Sequence, residues 1–321
     1  MRTYITRRLL QVIPVFLGIV FILFFIMEKA PGGPLAMMQD PRVTPEQKAM
    51  LAARLGLDQP FHIKFINWFV ELLKGNLGYS IAHKKPVTTV IGDFIGPTFI
   101  LSITSLCVSV FIGIPVGVLS AVKQHSWLDN LFTVIALVGI SIPSFFFGLL
   151  LLKAFAIDIP ILPLFGFQNP MLRNADFWTR FIDKALHLVL PSMVLGLSGA
   201  ASFTRYTRSA MLEVIRSDYI RTARAKGLKE GVVIFRHAFR NALIPVVTLL
   251  GFQIPALISG AVITESIFGF PGLGKIALDA VMQRNYPLIL GINTMLSVLT
   301  LIAAILTDIA YAAVDPRIRY D

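Results

Sequence analysis

The run GFPGLGKI sets Gly269, Gly274 and Lys275 at the spacing of a loop that wraps its amides around a nucleotide's phosphates. That chemistry also needs a Ser or Thr after the lysine to reach Mg²⁺, a strand before and a helix after. Ile276 offers no hydroxyl, and a turn at Pro271-Gly272 leading into a short helix describes the segment better. His62, His83, His125, His187 and His237 are scattered with no pair at ligand spacing, and the sequence has no HExxH, no CxxC and no serine nucleophile elbow. Cys107, the single cysteine, can form no internal disulfide and reads as packing. Lys153, Arg205 and Asp308 lie in apolar surroundings, where charge is costly and often functional. All three stand toward the ends of apolar runs, where a long side chain can reach polar ground, and no central chain of acids supports a proton-coupled carrier.

The residues with chemistry left to do are cationic. Arg205, Arg208, Arg216, Arg221, Arg224, Lys226, Lys229, Arg236 and Arg240 stand against only Glu213, Asp218 and Glu230, a polar island between hydrophobic stretches. The pattern is that of two short helices with a break. Ser217 and Asp218 open the first, because their side-chain oxygens accept free first-turn amides. Gly227 stops it, since glycine turns left-handed without a Cβ penalty, so a helix is expected near Asp218–Lys226. After Gly231, Val232, Phe235, Phe239 and Ala242 recur as an apolar face, with Arg236, His237 and Arg240 on another side. This second helix should lie along a membrane surface or a protein groove. Pro245 sits where the next apolar helix can begin without losing a needed donor. The stretch reads as a rigid docking element between two spans; a solvated basic face is the plainer alternative.

The rest of the chain must hold that element. It is 55% hydrophobic and 15% charged, with a mean hydropathy of +0.74, against roughly 25% charged residues in soluble domains. The net charge of +11 is concentrated in one loop, so membrane topology and a cytoplasmic partner explain it better than nucleic acid. The first apolar run, Leu9 to Met27, follows Arg2, Arg7 and Arg8 and exceeds the roughly 7–15 residues of a signal h-region, so residues 1–30 read as a cytoplasmic start and an uncleaved span. Residues 31–96 form an external segment with helix-like pieces at Pro45–Leu55 and Phe61–Lys74, the latter with Phe61, Phe65, Trp68 and Leu72 near one face. That segment is a cap on the spans, or also touches a docking protein. Five more runs follow at 98–122, 131–157, 186–203, 243–262 and 288–314, then a tail at 315–321. Each can supply the roughly 20 residues that a hydrocarbon core of about 30 Å requires, and lipid leaves the backbone no option but helix. Six spans put both ends on one side. The charges of Asp158–Ala185 and of Thr264–Pro287 cancel, which assigns the amino end and the basic loop to the cytoplasm. Pro14, Pro115, Pro143, Pro191 and Pro255 interrupt the spans, as tolerated breaks or as bending points. Small residues such as Gly113, Gly117, Gly196 and Gly199 allow close helix approach.

TARAKGL (Thr222–Leu228), followed by RHAFRNALIPVVT (Arg236–Thr248), resembles the conserved cytoplasmic loop of ABC importer membrane subunits in the dipeptide/oligopeptide/nickel branch. The general loop reads Glu-Ala-Ala, three residues, Gly, and later a Pro. Here Arg221 and Thr222 replace the Glu and first Ala, Ala223 and Gly227 are kept, and the gap to Pro245 is longer, a departure usual in the peptide branch. RRLLQVIPVFLGIVFILFF, APGGP (Ala30–Pro34), LGLDQP (Leu55–Pro60), GNLGYS (Gly75–Ser80), ESIFGFPGLGKIALDAVMQRNYP (Glu265–Pro287) and DPRIRY (Asp315–Tyr320) extend the resemblance, in order, over the whole chain.

The resemblance implies an all-α integral membrane protein with the type I importer permease fold. It implies six transmembrane helices, an extracytoplasmic insertion after the first, and a cytoplasmic coupling-helix loop at 205–242 between the fourth and fifth. Asp218, Tyr219, Arg221, Thr222, Ala223, Arg224, Lys226, Gly227, Arg236, Arg240 and Pro245 would form the ATPase-coupling loop, and Glu265, Pro271, Gly272 and Gly274 the extracytoplasmic mouth. Ala223 and Gly227 would serve close approach and the turn, while Arg221, Arg224 and Lys226 pair with acidic groups on the partner or with lipid headgroups. The chain itself would bind no cofactor; ATP and Mg²⁺ would sit on two partner ATPase subunits. A second homologous permease subunit in a heterodimer, an extracytoplasmic binding protein and the lipid bilayer complete the implied assembly, in the plasma membrane of a prokaryote with both termini cytoplasmic. The cargo would be dipeptides or oligopeptides, with nickel or oligosaccharide as alternatives. A stand-alone secondary carrier and a membrane-embedded enzyme are the competing classes: the first requires transport by this chain alone, the second a catalytic constellation.

Overall fold

The computed structural model describes residues 2–30, 59–253 and 256–314. The expected helix at Pro45–Leu55, Pro255, the tail DPRIRY and the Asp308 side chain lie outside them. The chain divides into two compact units, Met1–Gly96 with Gly272–Asp321, and Pro97–Pro271. Among the described residues four helices are long and apolar enough to cross a membrane, or up to six if each of two bent pairs is one span.

In the first unit, α1 (Arg2–Lys29) runs unbroken through Pro14 and α2 (Phe61–Leu73) packs against it. Phe21 and Phe24 meet the rings of Phe61, Phe65 and Trp68 with centroids 5.2–5.8 Å apart, and Lys64 donates to the Glu28 carboxylate. A two-residue antiparallel ribbon pairs β1 (Tyr79–Ser80) with β2 (Lys85–Pro86), Tyr79 opposite Pro86. The buried Asn285 amide donates to Ser80 Oγ at 2.7 Å, pinning that ribbon to the turn between α12 (Leu273–Met282) and α13 (Tyr286–Val314).

The second unit is built on α3 (Val87–Val122) and α6 (Phe177–Ile215). At 1.5 Å per residue they measure about 54 and 58 Å, far more than a hydrocarbon core of about 30 Å, so each projects beyond it. Asp176 caps α6, accepting from the Thr179 amide at 3.1 Å and hydroxyl at 2.6 Å. The two helices cross on small residues. A Cβ on Gly113 would stand 2.6 Å from Ala200 O and Phe203 Cβ, and one on Gly117 2.7 Å from Thr204 O and Thr207 Cβ. Backbones this close let side chains bond carbonyls of the other helix: Ser109 Oγ donates to Gly196 O at 2.9 Å, and Thr204 Oγ1 to Gly113 O at 3.2 Å.

Between them run α4 (Trp127–Ser141) and α5 (Ser144–Leu152), the latter extended by a π-helical turn at Lys153–Asp158. The sequence pattern gives one run at 131–157; the structure has two helices bent by 99°. The cause is local: Ile142 precedes Pro143, whose ring pushes it out of the helical region to φ −73°, ψ 124°. After α6 come α7 (Asp218–Ala225) and α8 (Glu230–Val232), which continues through a π-helical stretch at Val233–Phe239 into α9 (Arg240–Gln253). Pro245 therefore lies inside α9 and accompanies a bend of 43°, rather than starting a helix. Two short helices, α10 (Ala256–Ser259) and α11 (Val262–Ile267), close the unit.

The crossing of α3 and α6 can be tested directly. Gly117→Val should destabilise the detergent-purified chain by about 1–3 kcal/mol through overpacking. Gly139→Ala, with nothing within 4 Å, should stay within about 0.5 kcal/mol. Indistinguishable thermal midpoints for the two variants would contradict so close a crossing.

Candidate functional site

The basic stretch folds into a short helix set on an apolar cushion. Ile220 and Ala223 of α7 are buried in a cluster with Val118 and Ala121 of α3, Ala210 and Met211 of α6, and Val233, Ile234, Ala238 and Ala242 of the helix that follows. Asp218, Tyr219, Arg221, Thr222 and Arg224 face outward. Gly227 takes φ +76°, the left-handed turn that ends α7. Ser217 stands at the N-cap, but its hydroxyl donates to Val214 O at 2.6 Å, closing the end of α6 instead of accepting from α7.

Two residues do other work than their types suggest. Ala223 turns inward, so the close approach it permits is to this chain's own core. Arg224 reaches back across the Gly227 turn to Glu230, with its nearest nitrogen 2.7 Å from the carboxylate, and that hydrogen-bonded carboxylate raises its pKa above the ordinary value. Arg221 is within 3.7 Å of Asp218 and remains 78% exposed. Lys226, Arg236, Arg240 and Pro245 are exposed as well. The second apolar face differs from the expected one. Val232 and Phe235 are exposed while Val233, Ile234 and Ala238 are buried, with Phe239 only partly covered. Ala242 of the expected face is buried, with Ile234 and Ala238, so the core takes a face that recurs every four residues through the π-helical stretch.

The ion pair between Asp129 and Arg208 joins residues far apart in the sequence. Asp129, in the first turn of α4, is 2% exposed. It accepts from Arg208 Nε at 2.8 Å and Nη2 at 2.9 Å, from the His125 amide at 3.0 Å, and from Ser120 Oγ. The only sequence signal is Ser126 three residues before Asp129, the mark of a capping box. Half of that box forms: the Asp129 amide donates to Ser126 Oγ at 3.3 Å, but the carboxylate turns to Arg208. Of the charges in apolar runs, Lys153 pairs with Asp158 at 2.6 Å on an exposed turn, and Arg205 lies over the Tyr206 ring at 5.5 Å. Among the described residues no group of three or more His, Cys, Asp and Glu is arranged to hold a metal ion.

The expected mouth residues fall on both sides of the division between the units. In the second unit Glu265 is fully buried. It accepts from Thr98 Oγ1 and the Ala261 amide, each at 3.2 Å, and its carbonyl accepts from the Phe270 amide at 2.8 Å, just before Pro271. In the first unit Gly272 precedes α12, its carbonyl accepting from Ile276 at 3.0 Å, and Gly274 is buried in that helix's first turn. Helix α11, not a strand, comes before Gly269, which is unlike a phosphate-cradling loop. Within the second unit α3, α4, the Pro143 bend and α6 also enclose an apolar groove of about 710 Å³, lined by Val116, Ile135, Val138, Phe147, Leu197 and Ala201 among others.

Long apolar helices, two bent pairs and a basic helix seated on their core define a multi-span helical membrane protein of the permease class. A solved chain of the MetNI methionine ABC transporter in inward-facing conformations shares this fold, with a TM-score of 0.52 and 18% identity, covering 71% of this chain and 97% of that one. The chain belongs to the family of binding-protein-dependent transport system inner membrane components, matching that component over residues 113–320 and its N-terminal part over residues 1–104. It is 40% identical over 321 residues to the oligopeptide transport system permease protein AppB of Bacillus subtilis (strain 168), covering 100% of both chains. It is 37% identical over 320 residues to the glutathione transport system permease protein GsiC of Salmonella typhimurium (strain LT2), again covering 100% of both. The dipeptide transport system permease protein DppB of Alkalihalophilus pseudofirmus is 37% identical over 333 residues, with 100% of each chain covered.

The turn behind α7 yields a prediction. Gly227→Ala forces a side chain into the left-handed region at a cost of about 1–2 kcal/mol, whereas Gly231 has nothing within 4 Å and no such backbone angle. Hydrogen exchange should therefore show lower protection of the α7 amides in Gly227→Ala and none of that loss in Gly231→Ala.

Proposed function

We propose that this chain is the membrane-spanning permease subunit of an ATP-driven importer for peptides, working with a second permease subunit, two ATPase subunits and an extracytoplasmic binding protein. The observation that carries the reading is the two-sided build of α7. One side is locked through Ile220 and Ala223 into a core shared with the ends of α3 and α6, and the other presents Tyr219 and Arg221 outward. Such a helix can be gripped from outside and can move its neighbours as one body. The peptide cargo is supported by the oligopeptide, glutathione and dipeptide permeases to which the chain is similar along its whole length.

In this reading the protein has six spans with both termini in the cytoplasm of a prokaryote, each bent pair counting as one span. The external segment is 31–96, and the loop between the fourth and fifth spans docks on the ATPase. The chain supplies no nucleotide site; ATP and Mg²⁺ are bound by the partner subunits. Closure of the ATPase pair on ATP displaces α7, and the long helices continuous with its core tilt, exchanging an inward-open for an outward-open arrangement. The ATP-bound partner drives that exchange only to the extent that it grips one arrangement more tightly than the other. Arg221, Lys226, Arg236 and Arg240 meet acidic groups on the ATPase, and Gly227 supplies the turn; Arg224 serves inside the chain, holding the turn through Glu230.

The docking face is exposed, so it can be changed without touching the core. The double variant Tyr219→Asp with Arg221→Glu should insert and assemble normally, yet in proteoliposomes ATP hydrolysis should no longer respond to the loaded binding protein and peptide uptake should fall to background. Undiminished uptake would contradict the docking role, and uptake by this chain without ATPase subunits would overturn the importer reading altogether.

A further inference from the structure

Helix α4 runs alongside α6 and is fastened most deeply at its first turn. Of its residues Trp127 to Ser141 the one that is buried is a charge, Asp129. Leu131, Val134, Ile135, Leu137 and Val138 are exposed, so although α4 runs alongside α6 its deepest anchor is the carboxylate. The Asp129 carboxylate is correspondingly saturated. Oδ1 accepts from Ser120 of α3 and from Arg208 Nε, and Oδ2 accepts from the His125 amide and from Arg208 Nη2, two bonds to each oxygen. His125 itself takes φ +63°, a conformation uncommon for a residue with a side chain. The carboxylate thus fixes the turn from α3 into α4 and holds it against α6.

Arg208 is equally well placed. It stands one turn before Met211, which is fully buried in the cluster that also holds Ile220 and Ala223 of α7 and Val118 of α3. The docking helix, the foot of α6 and the end of α3 are therefore one packed body. Arg208 reaches from that body to the start of α4, and α4 in turn lines the apolar groove together with α3, α6 and the Pro143 bend.

We infer that Asp129 is a positioning residue of the transport cycle: through Arg208 it fastens α4 to the body that carries α7, so that a displacement of the docking helix is delivered to α4 and to the groove it lines. The inference rests on the importer reading above and adds the joint through which the movement passes. Without the joint, α7 can still be gripped and moved while α4 stays behind.

The complete transporter, with Cys107→Ser and Ile135→Cys in this chain, is reconstituted in liposomes, and the maleimide-labelling rate of position 135 is compared between the nucleotide-free and the ADP-vanadate-trapped states. The rate should change by about fivefold, the low end of ordinary coupling between two sites. With Asp129→Asn added, trapping stimulated by the loaded binding protein should persist, while the change at position 135 disappears; Arg208→Gln should do the same. Asp129→Glu, which keeps the charge, should restore part of the change. A change that survives Asp129→Asn, or one absent from the beginning, overturns the inference and leaves the importer reading intact. If both variants fail to assemble, or lose trapping and movement together, the pair is a structural staple and the inference is wrong. If trapping in the unaltered transporter ignores both the loaded binding protein and ATP, it is the importer reading that fails.

Discussion

A carboxylate closed off from water depends on every one of its hydrogen bonds, and Asp129, paired with a half-buried Arg208, meets that demand with four. Removing Arg208 leaves that buried carboxylate charged and short of two donors, the costly way to break such a pair, whereas Arg208 itself keeps some access to water. Those bonds secure a place where three helices meet. The apolar cluster under α7 begins one turn further along α6. Charge and packing divide the work: packing makes the foot of the second unit one body, and the carboxylate ties the first turn of α4 to Arg208 beside it.

The close crossing of α3 and α6 supplies the frame on which both depend. In lipid, apolar side chains gain little by touching one another rather than acyl tails, so helices associate where small residues let their backbones meet. Gly113 and Gly117 against Ala200, Thr204 and Thr207 do this at contacts that would leave no room for a methyl group. Ser109 and Thr204 then spend their hydroxyls on carbonyls of the opposite helix. Rigidity along this seam contrasts with the breaks elsewhere: the Pro143 bend, the bend at Pro245 and the π-helical turns are confined to segments flanking it.

Much of this was legible in the residues. The apolar runs locate long helices because hydrocarbon permits the backbone nothing else, and the small-residue spacing marks where two of them cross. Ser217 and Gly227 bracket α7 correctly, since both are read by local rules about helix ends, although the Ser217 hydroxyl serves the preceding helix. What was not legible depended on phase or distance. Val232 and Phe235 look like a buried face at a 3.6-residue period, yet the core takes the neighbouring face of Ile234, Ala238 and Ala242. Asp129 looks like a capping acid, and nothing in its neighbourhood reveals an arginine 79 residues away. The orientation of Ala223 is likewise a property of the assembled core.

Helices longer than the membrane is thick have a mechanical meaning. If α6 pivots near its middle, a tilt of about 10° carries each end of a rod of about 58 Å sideways by about 5 Å, close to one helical pitch. A modest rotation felt at the basic end is thus returned as a step large enough to exchange one set of side chains for the next at the far end. In the importer proposed above, the projecting turns of α6 would set the gearing between the two ends.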